Sequence, residues 1–234
     1  MAKAAIAAIT ALLIFSCDFG SKLDGSGNVT KQNRPIKEEF KSIAANKGID
    51  VIIEQGPTRT VMVEADDNFH AHIKVEVKGG TLEISTDEGL AGSGTKRVYV
   101  TLPELENIEA ESGASVTTKS TLRGDSFEFS SSSANIDVNI EAQDLALEAS
   151  SGGKIRVNGK ADNLQTEASS GSTIDAKGLT AKSVTAESSG GGSNYVNPVE
   201  SLNADASTGG HILYKNTPGK LDKKTSSGGN VKQD

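Results

Sequence analysis

Residues able to do chemistry are few in this sequence. It has one cysteine, Cys17, three histidines, His70, His72 and His211, and no tryptophan. Cys17 ends the run Ile14-Phe15-Ser16-Cys17, behind an apolar stretch from Ala4 to Phe15 and a lone Lys3. Such a stretch is too short to span a bilayer but suits a signal peptide. A small residue before a lone cysteine is the pattern at which lipoprotein signal peptidase cuts, leaving an acylated sulfur. Residues 1–16 therefore read as a lipoprotein signal peptide. With several acyl chains, at about 0.8 kcal/mol per buried CH₂, the membrane anchor at Cys17 would be effectively permanent.

Catalytic and metal chemistry find little support. His70 and His72 would share a face of an extended strand, yet no third ligand lies nearby, and zinc needs three or four. Gly190-Gly191-Gly192 lacks the lysine and helix of a phosphate-binding loop. Asp137, Arg156 and Asp175 occupy equivalent places in a repeat described below. Carboxylates around an arginine could hold a uronate and accept its proton, as a carbohydrate-active enzyme would require. A neutralised column of surface charge is the simpler account. Glu148, Glu167, Glu187 and Asp205 each follow an apolar residue (Leu145, Leu164, Val184, Leu202) by three positions. That outward acidic row is the candidate binding surface. It could recruit calcium weakly, through carboxylate oxygens in flexible geometry, or a basic partner. The formal charge of −7, with no basic cluster denser than Lys223-Lys224, disfavours nucleic acid. The reading names no cofactor.

What must position these residues is a repeat. Small hydroxyl residues recur at Ser112, Ser132, Ser151, Ser170, Ser189, Thr208 and Ser227, a first step of 20 followed by steps of 19. Gly, or Ser133, stands next, and an apolar residue follows at Val116, Ile136, Ile155, Ile174, Tyr195, Ile212 and Val231. A second apolar column runs Phe127, Leu145, Leu164, Val184, Leu202, Leu221. Within a unit, Leu145-Ala146-Leu147-Glu148-Ala149 and Ile155-Arg156-Val157 alternate with period two, as strands do. Each unit then holds two short strands, a Ser-Gly corner where glycine meets positive φ, and a second turn such as Gly159 to Asn163. Stacking the units satisfies each backbone donor from the next coil, giving a parallel β-helix of about nineteen residues per coil. The hydroxyl column would form a side-chain ladder along the corner, and its serines are not nucleophiles.

The 25 glycines and 4% aromatics suit such a tightly folded scaffold. Residues 17–35, polar and rich in Gly and Ser, read as a lipidated cysteine and flexible tether, with order beginning near Val29 or Ile36. Residues 36–234 form a single domain, regular over 106–234 and irregular over 36–105. The irregular part carries alternating strands at Val61–Ala65, Ile73–Val77, Leu82–Ile84 and Val98–Val100. It also has a Gly79-Gly80 hairpin signal and a helical turn within Asp66 to His72. It is expected to cap the first coil, whose open edge would expose unpaired backbone groups.

Gly48-Ile49-Asp50-Val51, then Val63-Glu64-Ala65-Asp66-Asp67-Asn68, then Leu102-Pro103-Glu104-Leu105, then Ser-Gly-punctuated repeats, resemble the bacterial "putative auto-transporter adhesin, head GIN domain" family. The likeness covers roughly residues 36–231. It implies a right-handed β-helix and an exported, lipid-anchored protein of the Gram-negative cell envelope, at the outer membrane. It transfers no catalytic residues. The expected function is a binding or adhesion module for a glycan or protein. A carbohydrate-active enzyme and a purely structural envelope protein stand as alternatives.

Overall fold

The computed structural model describes residues 23–87, 90 and 93–234; Cys17 and the apolar run before it lie outside the described residues. The first half of the chain forms β1 (Val29–Asn33), β2 (Ser42–Ala45), β3 (Asp50–Gln55), β4 (Thr60–Asp66), β5 (Ile73–Lys78), β6 (Thr81–Thr86) and β7 (Lys96–Leu102). A single 3-10 turn, Asp67–Phe69, follows β4. The second half forms β8 (Asn107–Glu111), β9 (Ser115–Thr118), β10 (Leu122–Ser132), β11 (Asn135–Ser150), β12 (Lys154–Ala168) and β13 (Thr173–Ser188). It ends in β14 (Ser193–Val196), β15 (Pro198–Ala206), β16 (His211–Tyr214), β17 (Lys220–Thr225) and β18 (Asn230–Gln233).

The second half is the expected parallel β-solenoid. Leu145 pairs with Leu164, Leu164 with Val184, Val184 with Leu202 and Leu202 with Leu221, so the apolar column is a physical stack. The coil differs from the expected two strands and two turns in its central turns. There β11, β12 and β13 run 15 or 16 residues without a break. The second turn is only a bend within the pairing, where Gly159 at φ 122° lies against the Ile140 carbonyl. Two short strands per coil appear toward the two ends of the stack, in β8–β9 and in β14–β15 and β16–β17.

The corner column also needs correction. Left-handed φ falls on Ser112, Ser133, Ser151, Ser170, Gly190, Thr208 and Ser227. Ser133 and Gly190 therefore replace Ser132 and Ser189. The Ser133 corner is one residue short, between the pairs Ser132–Ser150 and Asn135–Lys154, whereas Gly190 is displaced by an extra residue in the bulge after Asp175. After each irregularity the pairing resumes in phase, at Asn135 opposite Lys154 and at Ser193 opposite Thr173. Asn194, not Tyr195, thus stacks between Ile174 and Ile212 in the interior, while Tyr195 faces outward opposite Asp175. Nor do hydroxyls make the corner ladder. Backbone amides do, as Gly113 N to Ser133 O (2.7 Å), Gly152 N to Ser170 O (3.1 Å) and Gly209 N to Ser227 O (3.1 Å). Among the described corner residues the hydroxyl bond is Ser133 Oγ to Ser151 O, 2.9 Å.

The first half caps the solenoid by a route that reorders the chain. β2 lies between β6 and β8, and β3 between β7 and β9, all parallel. Residues 42–55 thus form a coil inserted between two later ones. Antiparallel strands close the outer end: β5 on β6, β4 on β7, and β1 on β4. The Gly79-Gly80 hairpin joins β5 to β6 with both glycines at positive φ. From β1 through β4, β7, β3, β9 and the coils to β18 there are ten pairings. At a strand spacing of about 4.8 Å they make a rod of about 48 Å.

The stretch 17–35 is not a free tether over its described part. Asn68 Nδ2 donates to the Asp24 carbonyl at 2.8 Å, and Gly27 N donates to buried Asp66 at 2.6 Å. Asp67 accepts from Ser26 and Asn28, and β1 follows at Val29. Gly25 permits this approach: a Cβ there would stand 2.8 Å from Asp66 Cγ. Composition suggested flexibility, but the same small residues let the backbone fit against the Asp66-Asp67-Asn68 turn.

Candidate functional site

Alternation sends Glu148, Glu167, Glu187 and Asp205 outward from strands whose neighbours Ala149, Ala168, Ala186 and Ala206 are buried. The register sets Glu148 opposite Glu167, Glu167 opposite Glu187, and Glu187 opposite Asp205. Ser130 precedes the row and Lys224 follows it. All four carboxylates are exposed, and none of them is ion-paired among the described residues. Two shallow depressions flank the row. One of about 260 Å³ is lined by Glu167, Glu187, Asp205 and Ser207, the other of about 330 Å³ by Glu109, Glu111, Ser132 and Glu148. The arrangement is a line of like charge and not a cage: no group of three or more His, Cys, Asp or Glu is gathered for a metal ion among the described residues.

The other charged constellation is neutralised. Arg156 lies between Asp137 (3.7 Å) and Asp175 (3.8 Å), the pattern of a compensated surface column. His70 is buried with Nε2 against Thr30 Oγ1 at 2.9 Å, while His72 sits against Asp87 at 3.2 Å. Both lie within the turn after β4, so they share no strand face.

Sequence reading missed a concavity of about 620 Å³ where cap and coils meet. Lys41, Glu104, Glu106, Arg123, Asp125 and Glu128 line it. Lys41 bridges Glu104 and Glu106, each at 2.9 Å, which raises its own pKa and lowers that of Glu104. Arg123 pairs with Glu141. Both cations of this groove are therefore satisfied within the chain, in contrast to the acidic row. No local motif could have found the groove, because its walls are more than sixty residues apart in sequence.

Several solved structures share this fold. One described as a putative adhesin from Bacteroides fragilis has 24% identity and a TM-score of 0.82, over 91% of this chain and 100% of that one. A putative adhesin from Parabacteroides distasonis has 23% identity and a TM-score of 0.73, over 92% and 100%. A protein from the same species described as a putative lipid binding protein has 22% identity and a TM-score of 0.67, again over 92% and 100%. No curated protein matches the chain. The family model described as "putative auto-transporter adhesin, head GIN domain" matches residues 39–218, the capping coils and nearly the whole solenoid, and the chain belongs to that family.

Proposed function

We propose that the chain is a lipid-anchored envelope protein whose solenoid flank serves as a binding or adhesion surface. The observation that carries the reading is the row Glu148, Glu167, Glu187 and Asp205. These are four carboxylates, none in an ion pair among the described residues, in direct register on stacked strands. A rigid line of negative charge suits an extended cationic partner, because spacing fixed by the backbone spares the ordering entropy a flexible surface would lose. The favoured ligand is a basic protein segment. A glycan would engage the row through calcium shared between neighbouring carboxylates. The anchor is Cys17, behind its lipobox-like run.

Two measurements test this. The full-length chain and a Glu167→Gln/Glu187→Gln variant are compared on protein and glycan arrays with and without millimolar calcium. The wild type should bind basic proteins in a salt-sensitive way and the variant much more weakly. Equal binding by both would remove the row from the function. Separately, a fatty-acid analogue fed to cells should label the wild type and not Cys17→Ala; an unlabelled wild type would refute the anchor.

A further inference from the structure

The C-terminal coil presents a sheet edge that is closed by one side chain. Among the described residues β17 pairs with β15 alone and β18 with β16 alone. An edge of unpaired backbone groups is a template for another chain. Leu221, inward-facing over Leu202, is 36% exposed, with no strand paired on its other side among the described residues. One interior column runs Ile108, Phe129, Leu147, Thr166, Ala186, Ala204 and then Lys223. A charge thus stands at the place every earlier coil gives to an apolar or small residue. Lys223 Nζ donates to Tyr214 Oη at 2.8 Å and lies 4.7 Å from the centre of that ring. Tyr214, on β16, is buried. The lysine stem lies over the end of the interior, and the ammonium is held by the phenol and the ring face.

We propose that the C-terminal coil is a latent self-association surface, matched to a second copy of itself, and that Lys223 keeps it closed. The favoured occupant follows from strand geometry and charge. Two copies meeting through β17 about a two-fold axis pair antiparallel, with inward residues opposite inward residues. Centred on Lys223, that register sets Asp222 opposite Lys224 of the second copy, twice, and Leu221 opposite its Thr225. The outward pairs attract. The only opposed like charges are the two Lys223 ammoniums, which would be brought together over the interior with no carboxylate between them. Removing that one charge leaves an apolar surface, open backbone groups and two favourable ion pairs.

Size-exclusion chromatography with light scattering on the full chain in detergent, protein mass counted apart from the micelle, reads the outcome directly. The wild type should be monomeric at tens of micromolar. Lys223→Leu should double its mass in a concentration-dependent way, with Lys223→Met, which keeps the long stem, behaving alike. Lys224→Leu removes the same charge one residue away, on the outer face, and should stay monomeric. Adding Lys224→Leu to Lys223→Leu should weaken the dimer, because it breaks both Asp222–Lys224 pairs. Circular dichroism confirms that each variant is folded. A folded Lys223→Leu and Lys223→Met that both remain monomeric would overturn the proposal. So would a wild-type dimer, or equal association by Lys224→Leu, which would make net charge and not the closed end responsible.

Discussion

The cap and the coils solve one problem, burying inward-facing residues on stacked strands, with different means. In the cap the interior is bulky: Phe40, Phe69, Ile43, Ile49, Ile53, Leu82 and Ile84 are all fully buried. Its strands come from distant parts of the chain in an order unlike the sequence order, and antiparallel pairs seal its outer end. In the coils each strand pairs with its equivalent one repeat away, and the interior grows smaller and more polar toward the C-terminus. Phe129 and Leu147 give way to Thr166, Ala186 and Ala204, and Asn194 takes an isoleucine place. Buried Thr166 Oγ1 and Asn194 Oδ1 have no hydrogen-bond partner among the described groups. The difference teaches that repetition tolerates a weak core. Backbone pairing with identical neighbours on both sides holds a coil whose side chains bury little, whereas the cap must be held by large side chains.

That contrast can be broken at its strongest point by deletion. Removing Ser151 to Ser169, one whole coil, rejoins equivalent corner positions and should leave a folded protein with a cooperative melt. Removing Ser42 to Gln55 strips β6 and β7 of their parallel partners and should abolish soluble folded protein. If the two deletions melt alike, the halves do not differ as described. Next in size is Ile155→Asp. Ile155 is buried between Ile136 and Ile174, so an unpaired carboxylate there should cost several kcal/mol in urea denaturation. Thr166→Val, nearly isosteric, removes a buried hydroxyl without a partner and should stabilise by about 1 kcal/mol. A loss of stability there would mean that the polar interior of the coils has a structural role.

The smallest effect distinguishes the charges of the cap from those of the flank. Glu64 accepts a hydrogen bond from Tyr99 Oη at 2.8 Å and lies 3.2 Å from Lys31 and 3.7 Å from Arg97. The Tyr99 hydroxyl, then Lys31 and Arg97, hold its carboxyl below the usual carboxylate range, against an opposing push from burial. A folded pKa below the unfolded one stabilises fully above the unfolded value, about 4.3, and that stability disappears as pH falls through the folded value. Glu64→Gln should therefore flatten the acid limb of the melting-temperature profile relative to wild type. An unchanged acid limb would remove Glu64 from the cap's stability.

Much of this molecule is written locally. The columns Phe127 to Leu221 and Val116 to Ile174 recur at a nearly constant step, so periodicity alone predicted the parallel stack and the outward row Glu148, Glu167, Glu187, Asp205 that the register bears out. Asp137, Arg156 and Asp175 were legible as a neutralised column for the same reason. Where the chain loses a residue, at the Ser133 corner, or gains one, in the bulge after Asp175, a fixed step misplaces the corner. The Gly-rich stretch 190–192 is no insertion, and Asn194, not Tyr195, takes the interior place. Alternation determined which residues face inward, because that depends only on strand period. Tertiary structure alone decided that residues 42–55 sit between two later coils, that Asp24 to Asn28 clasp the Asp66-Asp67-Asn68 turn, and that Lys223 lies over the interior against Tyr214. Each of these joins residues whose spacing follows no repeat, so their free energy depends on which surfaces the rest of the chain leaves open.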